Sequence, residues 1–194
     1  MNELINAFPT PIGVVDFDNS MFEEEIKELL EVFEEASNEE EDEFFTTEEN
    51  LLDSNIYCNV FDREKYQKIV DFFVENLMTE YFLKLEVKNC SRMSWGVINK
   101  IKKGNCRNFN KTLDSTYAII FPLTCGEDQT VDIYNPNAIL SQVKIRATNP
   151  NIYNSRVLSL FIKDKAIIIP ASTMYEIKCK DDTDFIYGVI GLAT

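Results

Sequence analysis

The sequence predicts an α+β fold in which two N-terminal helices pack on a sandwich or jelly roll of short strands. Two segments in the first half carry apolar residues at helical spacing. From residue 93 onward, short apolar segments alternate with turn-forming residues. The chain has 194 residues and is 45% hydrophobic, which is enough for one full core in a single domain.

The two helices are predicted from periodicity and from capping residues. Residues 18–20 offer N-cap candidates, and Ser20 followed by Glu23 fits a capping box. Apolar residues recur at helical spacing over residues 22–33, so this face is expected to dock on the sheet. A second helix is predicted over residues 63–83, with an aromatic-rich buried face.

The strands are predicted from short apolar segments bounded by turn residues. Residues 8–17 open with Pro9 and Pro11 and alternate imperfectly, which favours an edge or early strand. Between residues 101 and 116 the chain reads as a Lys/Gly turn followed by an irregular polar loop. The other predicted strands span residues 56–61, 93–101, 116–122, 130–134, 139–147, 158–162, 166–169, 175–179 and 185–192.

An acidic segment at residues 34–49 contains no basic residue and is interrupted by Phe44 and Phe45. One interpretation is a solvated helix end and loop. The other is a contact arm for a basic partner, in which the two phenylalanines anchor the contact and Glu48 and Glu49 flank it.

Charge and composition narrow the class of protein. The net charge of -14 disfavours direct binding of nucleic acid, because phosphate backbones require positive charge. The five cysteines are widely spaced and the N-terminus does not resemble a signal peptide, so reduced thiols in a cytosolic setting are expected. The apolar runs have the length of strands, and no membrane span is predicted.

The absence of histidine is the most restrictive feature of the composition. Without an imidazole, Ser-His-Asp and Cys-His catalysis are excluded, and a zinc site is not expected. A magnesium or calcium site built from carboxylates near turns stays open, with Asp128, Asp132, Asp181 and Asp182 as candidate ligands.

Two sequence phrases carry a resemblance to a known family. Residues 8–16 match an opening phrase that begins F-P-T-P-I, and Trp95, Asn99 and Gly104 match a strand-turn phrase W-x-x-x-N-x-x-x-x-G. On these phrases the chain resembles the small 2-oxoglutarate/Fe(II) oxygenase-like proteins of tailed bacteriophages. The resemblance implies a double-stranded β-helix, which is a jelly roll.

The same resemblance implies how the chain is divided. Residues 93–194 would form the jelly-roll core. Residues 1–92 would supply an N-terminal strand and helices that pack on this core, together with the acidic segment, so that the whole chain is one integrated domain.

The resemblance also implies where the family's site residues fall. The iron-ligand positions fall at Arg107, Phe109 and Tyr175, and the arginine that binds 2-oxoglutarate falls at Phe185. Iron in this family is held by two imidazoles and one carboxylate, and a guanidinium binds the cosubstrate carboxylate through two hydrogen bonds. None of the four residues offers these groups at its position. We therefore predict degenerate sites, no cofactor, no metal and no enzymatic activity.

The resemblance then implies a structural or interaction subunit of a tailed-phage particle, in its neck, tail or baseplate. The expected partners are other virion proteins with basic surfaces, in an oligomer or ring, without nucleic acid or membrane. The expected location is the virion, assembled in the host cytoplasm.

Two alternatives stay open: an active 2-oxoglutarate/Fe(II) oxygenase with an atypical site, and a module that binds a small ligand in the barrel. The cavity of such a module would be lined by aromatic side chains that could equally fill it as core: Trp95, Tyr117, Tyr175, Phe185 and Tyr187.

Overall fold

The described part of the chain consists of two antiparallel sheets and two helices. The computed structural model describes residues 3–7, 10–37, 44–46, 66–78, 92–101, 106–109, 115–124, 126–134, 157–180 and 183–193. The elements are β1 Glu3–Ala7, β2 Thr10–Asp16, α1 Glu23–Ser37, β3 Phe44–Thr46, α2 Gln67–Asp71, β4 Arg92–Ile101, β5 Cys106–Phe109, β6 Tyr117–Pro122, β7 Gln129–Tyr134, β8 Val157–Phe161, β9 Lys165–Pro170, β10 Tyr175–Cys179 and β11 Phe185–Ala193.

The strands form a large and a small sheet. The large sheet has seven strands in the order β1-β2-β9-β6-β11-β4-β3, and the small sheet has four in the order β5-β10-β7-β8. With α1 and α2 this arrangement confirms the predicted class, an α+β jelly roll with two N-terminal helices. None of the helices in the described residues is long and apolar enough to span a membrane.

Apolar side chains from both sheets meet to form what we call the intersheet core. Alternation along each strand selects its members: Ala118 and Ile120 of β6 lie in it, whereas Ile119 and Phe121 belong to the opposite face. The members are Ile12, Val97, Ile101, Ala118, Ile120, Val131, Ile133, Ile162, Ile167, Ile169, Tyr175, Ile177, Cys179, Phe185, Tyr187 and Val189.

The other face of the large sheet is covered by the helices, and aromatic rings fill the contact. Phe17 stacks on Phe22 with ring centroids 5.4 Å apart and on Phe73 at 5.3 Å, and Phe73 lies 4.8 Å from Phe121. All four side chains are buried. Burial of rings this large supplies much of the energy that holds the helices to the sheet.

The prediction of an edge or early strand over residues 8–17 is confirmed as an early strand, β2. Its edge alternative is wrong, because β2 lies between β1 and β9 and β1 takes the edge. Strand β1 is short and its residues have little β-propensity, so it forms a strand because it pairs with β2 and not because of its own sequence.

Both helices also differ in detail from the prediction. The N-cap is Asp18 rather than Ser20: its carboxylate accepts a hydrogen bond of 2.9 Å from the backbone N–H of Ser20, and a short 3₁₀ turn, Asn19–Phe22, precedes α1. The helix predicted over residues 63–83 is described over its middle only, where α2 continues as a π-helical stretch, Phe72–Met78.

The sequence does not predict strand β5, because its residues belong to the predicted irregular polar loop. Its sequence Cys-Arg-Asn-Phe shows no apolar run, and it forms by pairing with one edge of β10. The predicted strands at residues 56–61 and 139–147 lie outside the described residues.

Candidate functional site

The four positions taken from the family resemblance fall on three strands. Phe109 on β5 is the register partner of Tyr175 on β10, and Arg107 is the partner of Ile177. Phe185 lies on β11 in the other sheet. Tyr175 and Phe185 both belong to the intersheet core, where they are 3% and 0% exposed. The fold thus brings Tyr175 and Phe185 into one interior and pairs the backbone of Phe109 with that of Tyr175.

The aromatic residues expected to line an interior cavity divide between two faces. Tyr175, Phe185 and Tyr187 lie in the intersheet core, and the rings of Phe185 and Tyr187 stack with centroids 5.2 Å apart. Tyr117 does not join them. It precedes Ala118 and packs half-buried against the apolar cluster between the large sheet and the helices, which contains Phe17, Phe73 and Phe121 and which we call the helix-side core. The assignment of Tyr117 to the interior is therefore wrong by one step of strand alternation. The side chain of Trp95 lies outside the description.

Asn99 on β4 is a buried polar residue on the face that meets this interior. It lies between Val97 and Ile101 in strand alternation, and its register partner on β11 is Tyr187; all three are members of the intersheet core. Its side chain is 0% exposed, and neither Nδ2 nor Oδ1 has a hydrogen-bond partner. A buried polar group left without a partner costs about 1–3 kcal/mol, so such a residue calls for an explanation.

The sequence pattern marks Asn99 only as part of the strand-turn phrase W-x-x-x-N-x-x-x-x-G. The available signal was its parity: an asparagine two residues from Val97 and two from Ile101 falls on the same face of an apolar strand. That parity alone places the amide between Val97 and Ile101, whose aliphatic side chains cannot form a hydrogen bond with it.

The residues of the interior do not fit the iron centre of the oxygenase family. That centre requires two imidazoles and a carboxylate, and the chain contains no histidine. Tyr175 and Phe185 lie in the intersheet core, whose members are mostly aliphatic or aromatic and include no carboxylate or imidazole. Within the described ranges, no group of three or more His, Cys, Asp or Glu residues could hold a metal.

The carboxylates considered for a magnesium or calcium site do not assemble in the part of the chain that is described. Asp128 is exposed, whereas Asp132 is 5% exposed and its Oδ2 lies 2.5 Å from Nζ of Lys178. Asp181 and Asp182 lie outside the described residues.

A second polar cluster, which we call the outer cluster, lies on the outer face of the small sheet and consists of Asp132, Tyr134, Glu176 and Lys178. The hydroxyl of Tyr134 donates to Oε2 of Glu176 at 2.5 Å, and Nζ of Lys178 lies 3.1 Å from the same oxygen. The side chains of Asp132 and Glu176 are 8% and 10% exposed, and that of Lys178 is 33% exposed.

The pKa values in the outer cluster move away from neutrality. Burial opposes ionisation of Asp132, but hydrogen bonds from Lys178 and Ser159 outweigh it and lower the pKa of Asp132. The hydrogen bond to Asp132 raises the pKa of Lys178, and the hydrogen bond to Glu176 raises the pKa of Tyr134. Groups with pKa values shifted in these directions are poor proton donors and acceptors at neutral pH, which argues against a role of Asp132, Tyr134 or Lys178 in acid–base catalysis.

Comparison with known proteins supports the fold. No family model matches the chain, and no curated protein matches it. HygX from Streptomyces hygroscopicus, solved with nickel, 2-oxoglutarate and hygromycin B bound, matches with a TM-score of 0.55 and 10% identity, over 95% of this chain and 83% of that one. SnoK, a non-heme alpha-ketoglutarate-dependent carbocyclase from nogalamycin biosynthesis, matches with a TM-score of 0.53 and 10% identity, over 95% and 80%.

The chain has the jelly-roll fold of 2-oxoglutarate/Fe(II) oxygenases. A further protein of that family, from Burkholderia pseudomallei, has a TM-score of 0.47 and 10% identity; the match covers 66% of this chain and 58% of that one. At these identities the similarity shows the fold alone. It does not carry the neighbours' site residues over to the interior of this chain.

The neighbours contradict the prediction that this chain is not an enzyme. HygX contains bound 2-oxoglutarate and SnoK is named for its dependence on it, so the shared fold is one in which enzymes of this class work. The loss of histidine and arginine from the family positions was therefore the wrong basis for excluding enzymatic activity. The oxygenase part of the family resemblance is confirmed at the level of the fold.

Proposed function

We propose that this chain binds a small, neutral, polar molecule between its two sheets and that Asn99 recognises it. The observation that carries the proposal is the buried amide of Asn99, whose donor and acceptor both lack a partner. A ligand with one hydroxyl or amide group would satisfy Nδ2 and Oδ1 together. The phenol rings of Tyr175 and Tyr187, in the same core, supply the apolar walls that such sites usually have.

We expect a neutral ligand because the buried charged side chains of the described residues lie outside the intersheet core. The buried charged residues of the described chain, Asp132 and Glu176, belong to the outer cluster and not to the intersheet core. A carboxylate bound in an interior without a cation would lose its hydration and gain no compensating charge. We therefore expect a neutral ligand such as a sugar to bind more tightly than free 2-oxoglutarate.

The fold of the neighbours supports a ligand in this interior, since the HygX structure holds both 2-oxoglutarate and hygromycin B. Because those neighbours are enzymes, the site is to be tested for turnover as well as for binding. Any release of succinate from 2-oxoglutarate that depends on this interior should fall when Asn99 is replaced.

Thermal unfolding with D-glucose and, separately, with 2-oxoglutarate tests the proposal. We expect glucose to raise the midpoint of the wild-type chain by mass action and to have no effect on Asn99→Leu. The matched control is Asn19→Leu, because Asn19 also has a buried Oδ1 without a partner but lies outside the intersheet core. Equal responses of the wild type and Asn99→Leu to glucose, or no response of the wild type, would contradict the proposal.

A second candidate function is an interaction subunit of a tailed-phage virion, with basic partner proteins. It is supported by the family resemblance of the sequence, by the net charge of -14, and by the large apolar side chains that remain exposed among the described residues, Met21 at 54%, Phe161 at 63% and Met174 at 52%. Co-sedimentation of the chain with purified particles tests this role. A monomer that is absent from particles would count against it.

The contacts predicted for this role stay a prediction. The backbone of Phe44 and Phe45 lies in β3, which pairs with β4 at the edge of the large sheet, so the two residues are part of a strand rather than a free loop. Glu48 and Glu49 lie outside the described residues.

A further inference from the structure

A groove of about 620 Å³ lies where the 3₁₀ turn, α1 and the end of β6 meet. We call it the α1 groove and define it by the residues used below, which are Glu23, Ile26, Lys27, Leu30, Glu31 and Leu123. It is separate from the intersheet core, because α1 packs on the opposite face of the large sheet.

The floor of the α1 groove is apolar and fixed. Ile26 and Leu123 are 6% and 3% exposed and belong to the helix-side core, against which Leu30 also packs. A floor held by the core keeps its shape without a ligand, so an aliphatic side chain can enter it with little cost of reorganisation.

The rim of the α1 groove is acidic. The charged residues of the rim are Glu23, Glu31 and Lys27, and Lys27 is the only basic residue among those that line the groove. The ion pair between Lys27 and Glu31 is long, at 3.9 Å, and its side chains are 77% and 63% exposed. Exposed pairs of this kind contribute little and are easily exchanged for another partner. The whole of α1 carries seven glutamates and one lysine, in a chain with a net charge of -14.

We propose that the α1 groove docks a basic segment of a partner protein, with an aliphatic side chain on the floor and lysine or arginine at Glu23 and Glu31. The proposal rests on the second proposed function, the interaction role, and specifies the partner's chemistry. Complementary charge selects the occupant: a nucleic acid or an acidic segment would be repelled by this helix, and a purely apolar segment would leave the rim carboxylates unused.

The test measures binding of a fluorescein-labelled ten-residue peptide of six lysines and four leucines by anisotropy. The informative change is Lys27→Glu, which converts one positive rim charge into a negative one without touching the core. Two charge units at about 5 Å in a solvent-exposed site correspond to a gain in affinity of about tenfold at 50 mM salt. The gain should shrink at 300 mM salt, where exposed charges are screened.

A matched pair of charge reversals separates the groove from general attraction. Glu23→Lys and Glu24→Lys make the same change at adjacent exposed positions in the first turn of α1, but only Glu23 lines the groove. We expect Glu23→Lys to weaken binding about tenfold and Glu24→Lys to weaken it less than threefold. Equal effects of the two, or no effect of Lys27→Glu in variants whose circular dichroism is unchanged, would overturn the proposal.

The same variants distinguish a failure of the groove proposal from a failure of the interaction role. If the chain co-sediments with particles and Glu23→Lys does so equally well, the groove proposal fails while the interaction role stands. If the peptide distinguishes Glu23→Lys from Glu24→Lys but no particle binds the chain, the groove proposal stands and the virion role fails.

Discussion

Replacement of Lys178 by methionine tests the outer cluster of the small sheet. Nζ of Lys178 lies 2.5 Å from Oδ2 of Asp132 and 3.1 Å from Oε2 of Glu176, and the two carboxylate side chains are only 8% and 10% exposed. The variant leaves both negative charges close together with little water to solvate them. Loss of one partner of a fully buried pair costs about 3–5 kcal/mol.

The partial exposure of Lys178 lowers this figure. Its side chain is 33% exposed, so water already screens part of the attraction, and we expect a loss of about 2–3 kcal/mol in the free energy of unfolding. Urea denaturation at pH 7, followed by circular dichroism, measures it. The double variant Lys178→Met with Asp132→Asn should recover part of the loss, because it removes one of the stranded charges.

The chain offers a matched control in Lys163→Met. Lys163 forms an ion pair with Glu127 at 3.0 Å, but the side chains are 46% and 85% exposed, so its loss should cost no more than about 0.5 kcal/mol. Equal destabilisation by the Lys163 and Lys178 variants would refute the reasoning, since geometry without burial would then account for both.

Three further predictions concern backbone and charge. Gly188→Ala would place a Cβ 2.3 Å from the ring of Phe121, so we expect a loss of about 1–3 kcal/mol in urea denaturation, and a stable variant would show that the ring can move. Asp164, in the turn between β8 and β9, has a φ of 53°, a left-handed conformation that a β-branched residue adopts only with strain. Asp164→Val should therefore lower the free energy of unfolding by about 1–2 kcal/mol and Asp164→Gly should not, which thermal unfolding of both variants measures. The pKa of Asp132 is lowered in the folded state, so its contribution to the free energy of unfolding is present above the unfolded pKa of about 3.9 and is lost as pH falls through the folded pKa. Asp132→Asn should lack this part of the acid sensitivity when stability is measured between pH 6 and 2. A stability profile unchanged from that of the wild type would contradict the assignment.

The parts of the fold that could be predicted from the sequence are those specified by local pattern. Strand β9 contains a run of alanine and isoleucine that ends at Pro170, and this pattern predicts a buried strand. The helix α1 was predicted because its apolar residues recur at helical spacing between acidic ones. In these segments the chain's own periodicity decides the structure.

The parts that were missed depend on distant partners. β5 is polar and becomes a strand only by pairing with β10, more than sixty residues later. The contact of Asp132 with Lys178 joins residues separated by 46 positions, and nothing local to either indicates it. Tyr117 was placed on the wrong face because the parity of β6 is set by its neighbours β9 and β11.

The candidate site shows the same division. The resemblance led to Tyr175 and Phe185, which do share the intersheet core. It did not indicate that the amide of Asn99 is buried beside that core without a hydrogen-bond partner, because hydrogen-bond satisfaction is a property of the assembled interior.

The most direct test of a ligand at Asn99 is nuclear magnetic resonance of its side-chain amide. The two Nδ2 protons can be assigned in a ¹⁵N-labelled sample as the pair of signals that disappears in Asn99→Leu. We predict that D-glucose shifts this pair and slows its exchange with water, as expected for an amide that gains a hydrogen-bond partner. An Asn99 pair that stays in place at saturating glucose, while the chain remains folded, would contradict the proposed site.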